Sequence, residues 1–153
     1  MTGEALNVTR RHLPHWTIAE ATYFITFRVK HGNLSVSEQR LVLEHIKKGD
    51  PGFYKLAIAV VMPDHVHILL RPNPDRSLSQ ILKGMKGSIA RELNRRRRTS
   101  GSIWQDESFD RIMRDPNEFN QKLEYTLNNP VRKGLSDDPL TYHGVFLNEH
   151  YLE

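Results

Sequence analysis

The chain has 153 residues, with 22 Lys and Arg against 18 Asp and Glu, a formal net charge of +4 and no cysteine. That length fits a single domain, residues 1–153, able to bury a core of its own. Lack of cysteine excludes a disulfide framework and a thiolate zinc site. No stretch is apolar for long enough to cross a bilayer, and no signal-peptide core opens the sequence, so the expectation is a soluble cytoplasmic protein without a membrane partner.

Residues 1–20, including Arg10, Arg11, His12, His15 and Trp16, carry little pattern and read as an irregular N-terminal arm. Tyr23 to Val29, YFITFRV, is aromatic and β-branched, as a strand should be. Ser35 followed three residues later by Glu38 makes a capping box that opens a helix through about Lys48. The turn Gly49-Asp50-Pro51-Gly52 follows. Phe53 to Val61 and His65 to Leu70 then read as an antiparallel pair of strands joined at Met62-Pro63-Asp64. Residues two apart on a strand share a face, so His65 and His67 project side by side. Two adjacent imidazoles are poor core material and a good half of a metal site. A bare His-x-His pair is nonetheless a weak signal by itself.

Ser77 and Gln80 form a second capping box, and Leu78, Ile81, Leu82, Met85, Ile89 and Leu93 follow at helical spacing. Most of the charge lies here. Lys83, Lys86, Arg91, Arg95, Arg96, Arg97 and Arg98 face one anion, Glu92, a local balance of +6 within a total of +4 that leaves the remainder at −2. A basic block on an otherwise acidic body suggests a polyanion, nucleic acid first. Solvated cations at a helix C-terminus account for one or two of these arginines. Phe109 to Arg114 is a plausible fourth strand, with Trp104 before it. Asp115, Pro116 and Glu118 are a helix start, and the helix should stop near Asn128 or Asn129, ahead of Pro130. Residues 136–153 read as a C-terminal tail. The order of elements predicts an α+β domain with one ferredoxin-like antiparallel sheet and helices packed on it.

On the last of these helices Phe119, Leu123 and Leu127 form one apolar stripe. Tyr125 lies far round from it, on the side of Glu118, Gln121, Lys122 and, one turn on, Asn129. Taken alone, an amphipathic surface tyrosine is the commoner case. Two imidazoles on one strand face, a helical tyrosine with a carboxamide one turn later, and a basic block between them carry more weight together.

PDHVHILL resembles the HUH motif (His, hydrophobic, His) of single-tyrosine nucleases and transposases. YTLNNPVRKGL resembles the tyrosine-bearing helix of REP-associated tyrosine transposases, which act on single-stranded DNA. YFITFR, SLSQILKGMKGSIARELN and IWQDESFDRIMRD fall between or before these motifs in the same order, so the resemblance spans roughly Tyr23 to Leu135. The tail departs from the family, lacking its tryptophan-rich ending.

The resemblance implies that His65 and His67 hold a divalent metal, with the carboxamide oxygen of Asn129 as third ligand. Imidazole and amide oxygen without thiolate suit Mg²⁺ or Mn²⁺. It implies Tyr125 as nucleophile, forming a covalent 5′-phosphotyrosine and releasing a 3′-hydroxyl that can later reverse the step. A free phenol has a pKa of about 10, and the sequence offers Lys122 as a nearby cation but no evident general base. Asp64 is either a support for His65 or simply a turn residue. Lys83, Lys86, Arg91 and Arg95 to Arg98 are expected to contact phosphates of single-stranded or hairpin DNA, with Arg10 and Arg11 reaching a groove. Trp104 and Phe109 either stack bases or bracket a strand as buried aromatics. One subunit or a homodimer would serve. The competing readings are a non-catalytic DNA-binding regulator on this scaffold, a metal nuclease using water, and an interaction module.

Overall fold

Strong β-formers and two capping boxes set the order of elements in the computed structural model, which describes residues 21–151. The N-terminal arm, with Arg10 and Arg11, lies outside the described residues. Strand β1 is Tyr23–Arg28, helix α1 Val36–Lys48, strand β2 Tyr54–Val61 and strand β3 His65–Pro72. Helix α2 (Leu78–Arg97), strand β4 (Phe109–Ile112) and helix α3 (Pro116–Leu127) follow. A short helix α4 (Asn129–Arg132), a 3-10 turn (Pro139–Thr141) and strand β5 (Val145–Leu147) come last among the described residues. Ser35 accepts from the Glu38 backbone, Ser77 from that of Gln80 and Asp115 from that of Glu118, so α1, α2 and α3 each start on the expected cap.

The sheet is antiparallel throughout, in the order β4-β1-β3-β2-β5. Its first four strands have the ferredoxin-like arrangement expected from the order of elements. Alternation divides the strands between two cores. Ile25, Phe27, Val66, Ile68 and Leu70 meet Leu41, Val42 and Ile46 of α1 and Ile89 and Leu93 of α2. Phe24 and Leu69 meet Phe119, Leu123 and Leu127 of α3 on the reverse face. The register of β2 shifts between Leu56 and Ile58. That irregularity lets Ala57 and Ile58 both serve the α3 face while Leu56 and Ala59 serve the other.

The tail is part of the fold. β5 adds to the free edge of β2, pairing Val60 with Val145 and Ile58 with Leu147. The Tyr142 hydroxyl lies 2.7 Å from Gln39 Oε1 and 3.0 Å from the Val61 carbonyl oxygen. Tyr151 stacks on Phe119 at 5.7 Å and its hydroxyl lies 2.6 Å from Thr22 Oγ1. Between them, Gly144 passes so close to β2 that an added methyl would overlap the Val61 carbonyl oxygen.

Candidate active site

β3 is the middle strand of five, so groups on it are held from both sides. His65 and His67 project from its α3 face, their ring centroids 4.7 Å apart, and are only 6% and 5% exposed. Each is oriented through Nδ1. Asp64 Oδ1 lies 2.7 Å from Nδ1 of His65; a carboxylate accepts, so this ring carries its proton on Nδ1 and keeps a lone pair on Nε2. Thr26 Oγ1 lies 2.8 Å from Nδ1 of His67, across the β1–β3 ladder where Thr26 and His67 are register partners. Burial, against the pull of Asp64, holds His65 below the usual imidazole range. Burial, followed by the neighbouring charge of His65, pushes His67 down to about 3. Both rings are neutral at pH 7, the form that ligates a metal.

α3 brings Tyr125 over the same patch. Its ring centroid is 5.9 Å from that of His67, and it stands edge-on to Phe24 at 6.4 Å. Phe24 stacks beneath His67 at 5.5 Å, making a common floor. Tyr125 is 47% exposed, so the phenol is reachable from solvent. Asn129 is not a further turn of α3: that helix ends at Leu127 with Asn128 as its cap, and Asn129 opens α4. It is 3% exposed, with Nδ2 3.5 Å from His65 Nε2.

These residues fit a divalent cation. Two neighbouring imidazoles, with a carboxamide beside His65, supply neutral nitrogen and oxygen donors, while no group of three His, Cys, Asp or Glu side chains gathers among the described residues. As the resemblance implies, the Asn129 carboxamide would be the oxygen donor, which requires Oδ1 rather than Nδ2 to face His65 Nε2.

The cations that bear on this patch differ from those of the basic block. Arg28, Lys122 and Arg132 act on His67, and Arg28 and Lys133 on His65. Arg132 Cζ sits 4.3 Å from the centre of the Tyr125 ring, and its Nη2 donates to the Tyr125 carbonyl oxygen at 2.7 Å. Lys122 Nζ is 5.6 Å from the same ring. Arg95 to Arg98 end α2, whose apolar side packs on the opposite face of the sheet. Arg95 and Arg96 pair with Glu92, and Arg97 pairs with Glu38 of α1 at 2.6 Å. Lys86 donates to the Gln105 carbonyl oxygen and to Ser108 Oγ, and Lys83 lines the cleft beside it. Trp104 is 5% exposed, packed edge-on against Phe27, with Nε1 donating to the Lys86 carbonyl oxygen. Thr26, Phe24 and Arg132 were not among the sequence candidates for this site, whereas Phe109 was, as one of two aromatics that either stack bases or bracket a strand. Arg132 lies within the quoted YTLNNPVRKGL motif, but nothing local announces that it folds back onto the tyrosine.

A family model described as IS200-like transposase matches residues 35–114, just over half of the chain. The chain belongs to the IS200-like transposase family. The matched stretch of the chain contains both histidines and stops short of Tyr125 and Asn129. A Haemophilus influenzae protein described as a REP-associated tyrosine transposase is 28% identical over 92 residues, 54% of this chain and 52% of that protein. The match thus spans about half the length of the curated relative. A REP-associated tyrosine transposase solved bound to a REP hairpin has the same fold, with a TM-score of 0.64 at 20% identity, covering 82% of this chain and 75% of that one. Among the described residues, no helix is long and apolar enough to cross a membrane.

Proposed function

We propose that this transposase cleaves and rejoins single-stranded DNA beside a hairpin, with Tyr125 as the nucleophile. The observation that carries the reading is a solvent-reachable phenol set beside two buried, neutral imidazoles, each oriented through Nδ1. A surface tyrosine with no role would have no reason to meet such a pair.

His65, His67 and Asn129 would hold Mg²⁺ or Mn²⁺, which when bound supplies polarisation of a phosphate oxygen. Tyr125 Oη forms a bond to phosphorus as the bond from phosphorus to the 3′-oxygen breaks. The phenol proton passes to solvent and the departing 3′-oxygen takes one up. The product is a 5′-phosphotyrosine, and a second 3′-hydroxyl attacking the same phosphorus restores the phosphodiester and frees Tyr125. Arg132 and Lys122, beside the phenol ring, offset the charge that gathers there. Lys83, Lys86, Arg91 and the arginines from Arg95 to Arg98 would meet phosphates away from the scissile bond, as would Arg10 and Arg11. Such contacts give salt-sensitive affinity with little sequence reading. A REP-like hairpin is the substrate class favoured by likeness to the relatives named above.

The test is incubation of wild type and Tyr125→Phe with single-stranded hairpin DNA from beside the coding locus, in Mg²⁺ or Mn²⁺ and in EDTA. A DNA-sized shift of the protein band that survives denaturation, absent in Tyr125→Phe and in EDTA, is the expected result. Cleavage that persists in Tyr125→Phe would mean a water nucleophile. Binding without cleavage across several hairpins would mean a regulator.

A further inference from the structure

Phe109 begins β4, the edge strand, and is 55% exposed. It pairs with Thr26 in the ladder, so its ring stands on the same face as the hydroxyl that orients His67. It meets the ring of Phe24 edge-on at 6.1 Å. Together with Phe24, His67, Lys122 and Tyr125 it lines a cleft of about 530 Å³, within the range of about 300–1,000 Å³ usual for small-ligand pockets. Leaving so much of an aromatic ring in water at the mouth of such a cleft forfeits burial that folding would otherwise reward. A flat π-face beside cations suits a nucleobase on a phosphate backbone.

The surroundings indicate where a strand would run. Gln105 and Ser108 line both this cleft and a second one that carries Lys83 and Lys86 on α2. Lys86 pins the stretch from Gln105 to Ser108 through its two hydrogen bonds, so the bridge between the clefts is fixed in place. Phe109 stands next to that bridge, one residue beyond Ser108.

We propose that Phe109 is the stacking platform for the nucleobase adjacent to the scissile phosphate, holding the strand as it passes from Tyr125 toward Lys83. This rests on the reading of Tyr125 as nucleophile, and it adds a positioning residue that neither histidine motif nor tyrosine motif contains. Phe109 orients substrate and takes no part in bond making.

The experiment uses the full chain in a Tyr125→Phe background, where binding is read without cleavage. Hairpin DNA carries 2-aminopurine at successive positions of its single-stranded flank, and fluorescence is followed on binding. Quenching at one flank position, lost in Phe109→Ala and in Phe109→Leu but kept in Phe109→Tyr, is expected. Affinity of Phe109→Ala for intact DNA should fall by about tenfold, the scale of one base–aromatic stack, and should not fall further when that base is removed. Unchanged quenching in Phe109→Ala, or equal losses on abasic DNA with and without the ring, would overturn the proposal. A wild-type protein that forms the Tyr125 adduct while Phe109→Ala behaves normally sinks this inference alone. No adduct in wild type sinks the reading beneath it.

Discussion

Thr26 is a small residue on which much of the site depends. It is 8% exposed, and its hydroxyl engages Nδ1 of His67 from the neighbouring strand. With that nitrogen occupied, Nε2 is the atom left to face a ligand, and the ring cannot turn without losing a buried hydrogen bond. Thr26→Val keeps the shape and removes the partner. The expected outcome is Mn²⁺ binding weaker by about 10- to 100-fold, read by titration calorimetry, with stability lowered by no more than about 1–3 kcal/mol. Unaltered Mn²⁺ affinity would show that packing on Phe24 already fixes the ring. Thr26 was invisible in the sequence because its importance comes from register: it lies 41 positions from the histidine it orients.

At the scale of elements, helix starts were readable because capping is local, made by residues three apart. Glu38 adds a second duty. Its carboxylate receives the Ser35 backbone N–H at 2.9 Å and also the Arg97 guanidinium at 2.6 and 3.0 Å, so it both caps α1 and ties it to the last turn of α2. The Arg97 hydrogen bond, chiefly, holds this carboxyl below its ordinary range. A depressed folded-state pKa means that the unfolded chain binds more protons in acid, so this contribution is complete above the unfolded value of about 4.3 and lost as pH falls through the lower folded value. Glu38→Gln should therefore lower the urea midpoint at pH 7 by an amount worth about 1 kcal/mol. The gap between variant and wild type should shrink as pH falls below the unfolded value of about 4.3 and through the lower folded value. A gap independent of pH would assign the effect to the cap alone. Because Arg97 is spent in this way, the run from Arg95 to Arg98 is less a free positive patch than its composition implies.

For the whole molecule, the chain beyond Leu135 closes one edge of the sheet and seals the α3 core. Removing residues 136–153 would bare the long, apolar β2 edge, Tyr54–Val61, and leave Phe119 without its stacking partner Tyr151. Exposed apolar edges of that kind pair with other chains. The truncated protein is expected to elute as large aggregates in size-exclusion chromatography, with no cooperative melt near that of the full chain. A monomeric, cooperatively melting fragment would mean that β5 only decorates the sheet. Tyr151→Phe, a milder change that keeps the ring and loses the 2.6 Å contact to Thr22, should cost about 1 kcal/mol in a denaturant melt.

What the sequence determined by itself was whatever rests on near neighbours. Capping residues placed the helices, β-branched runs placed four strands, and alternation put His65 and His67 on one face. The 3.6-residue period turned Tyr125 away from the apolar stripe of its helix. Tertiary structure decided what depends on elements meeting. It placed Thr26 beneath His67, folded Arg132 back onto Tyr125, sent Asn129 into a buried corner beside His65, and separated the four arginines from the face that carries the histidines. It also made an edge strand of a tail whose three paired residues, Val145–Leu147, have too little pattern to announce themselves. Local periodicity fixes the direction of a side chain relative to its own element, whereas a site is made by register and packing between elements, and those emerge only when the whole sheet has closed.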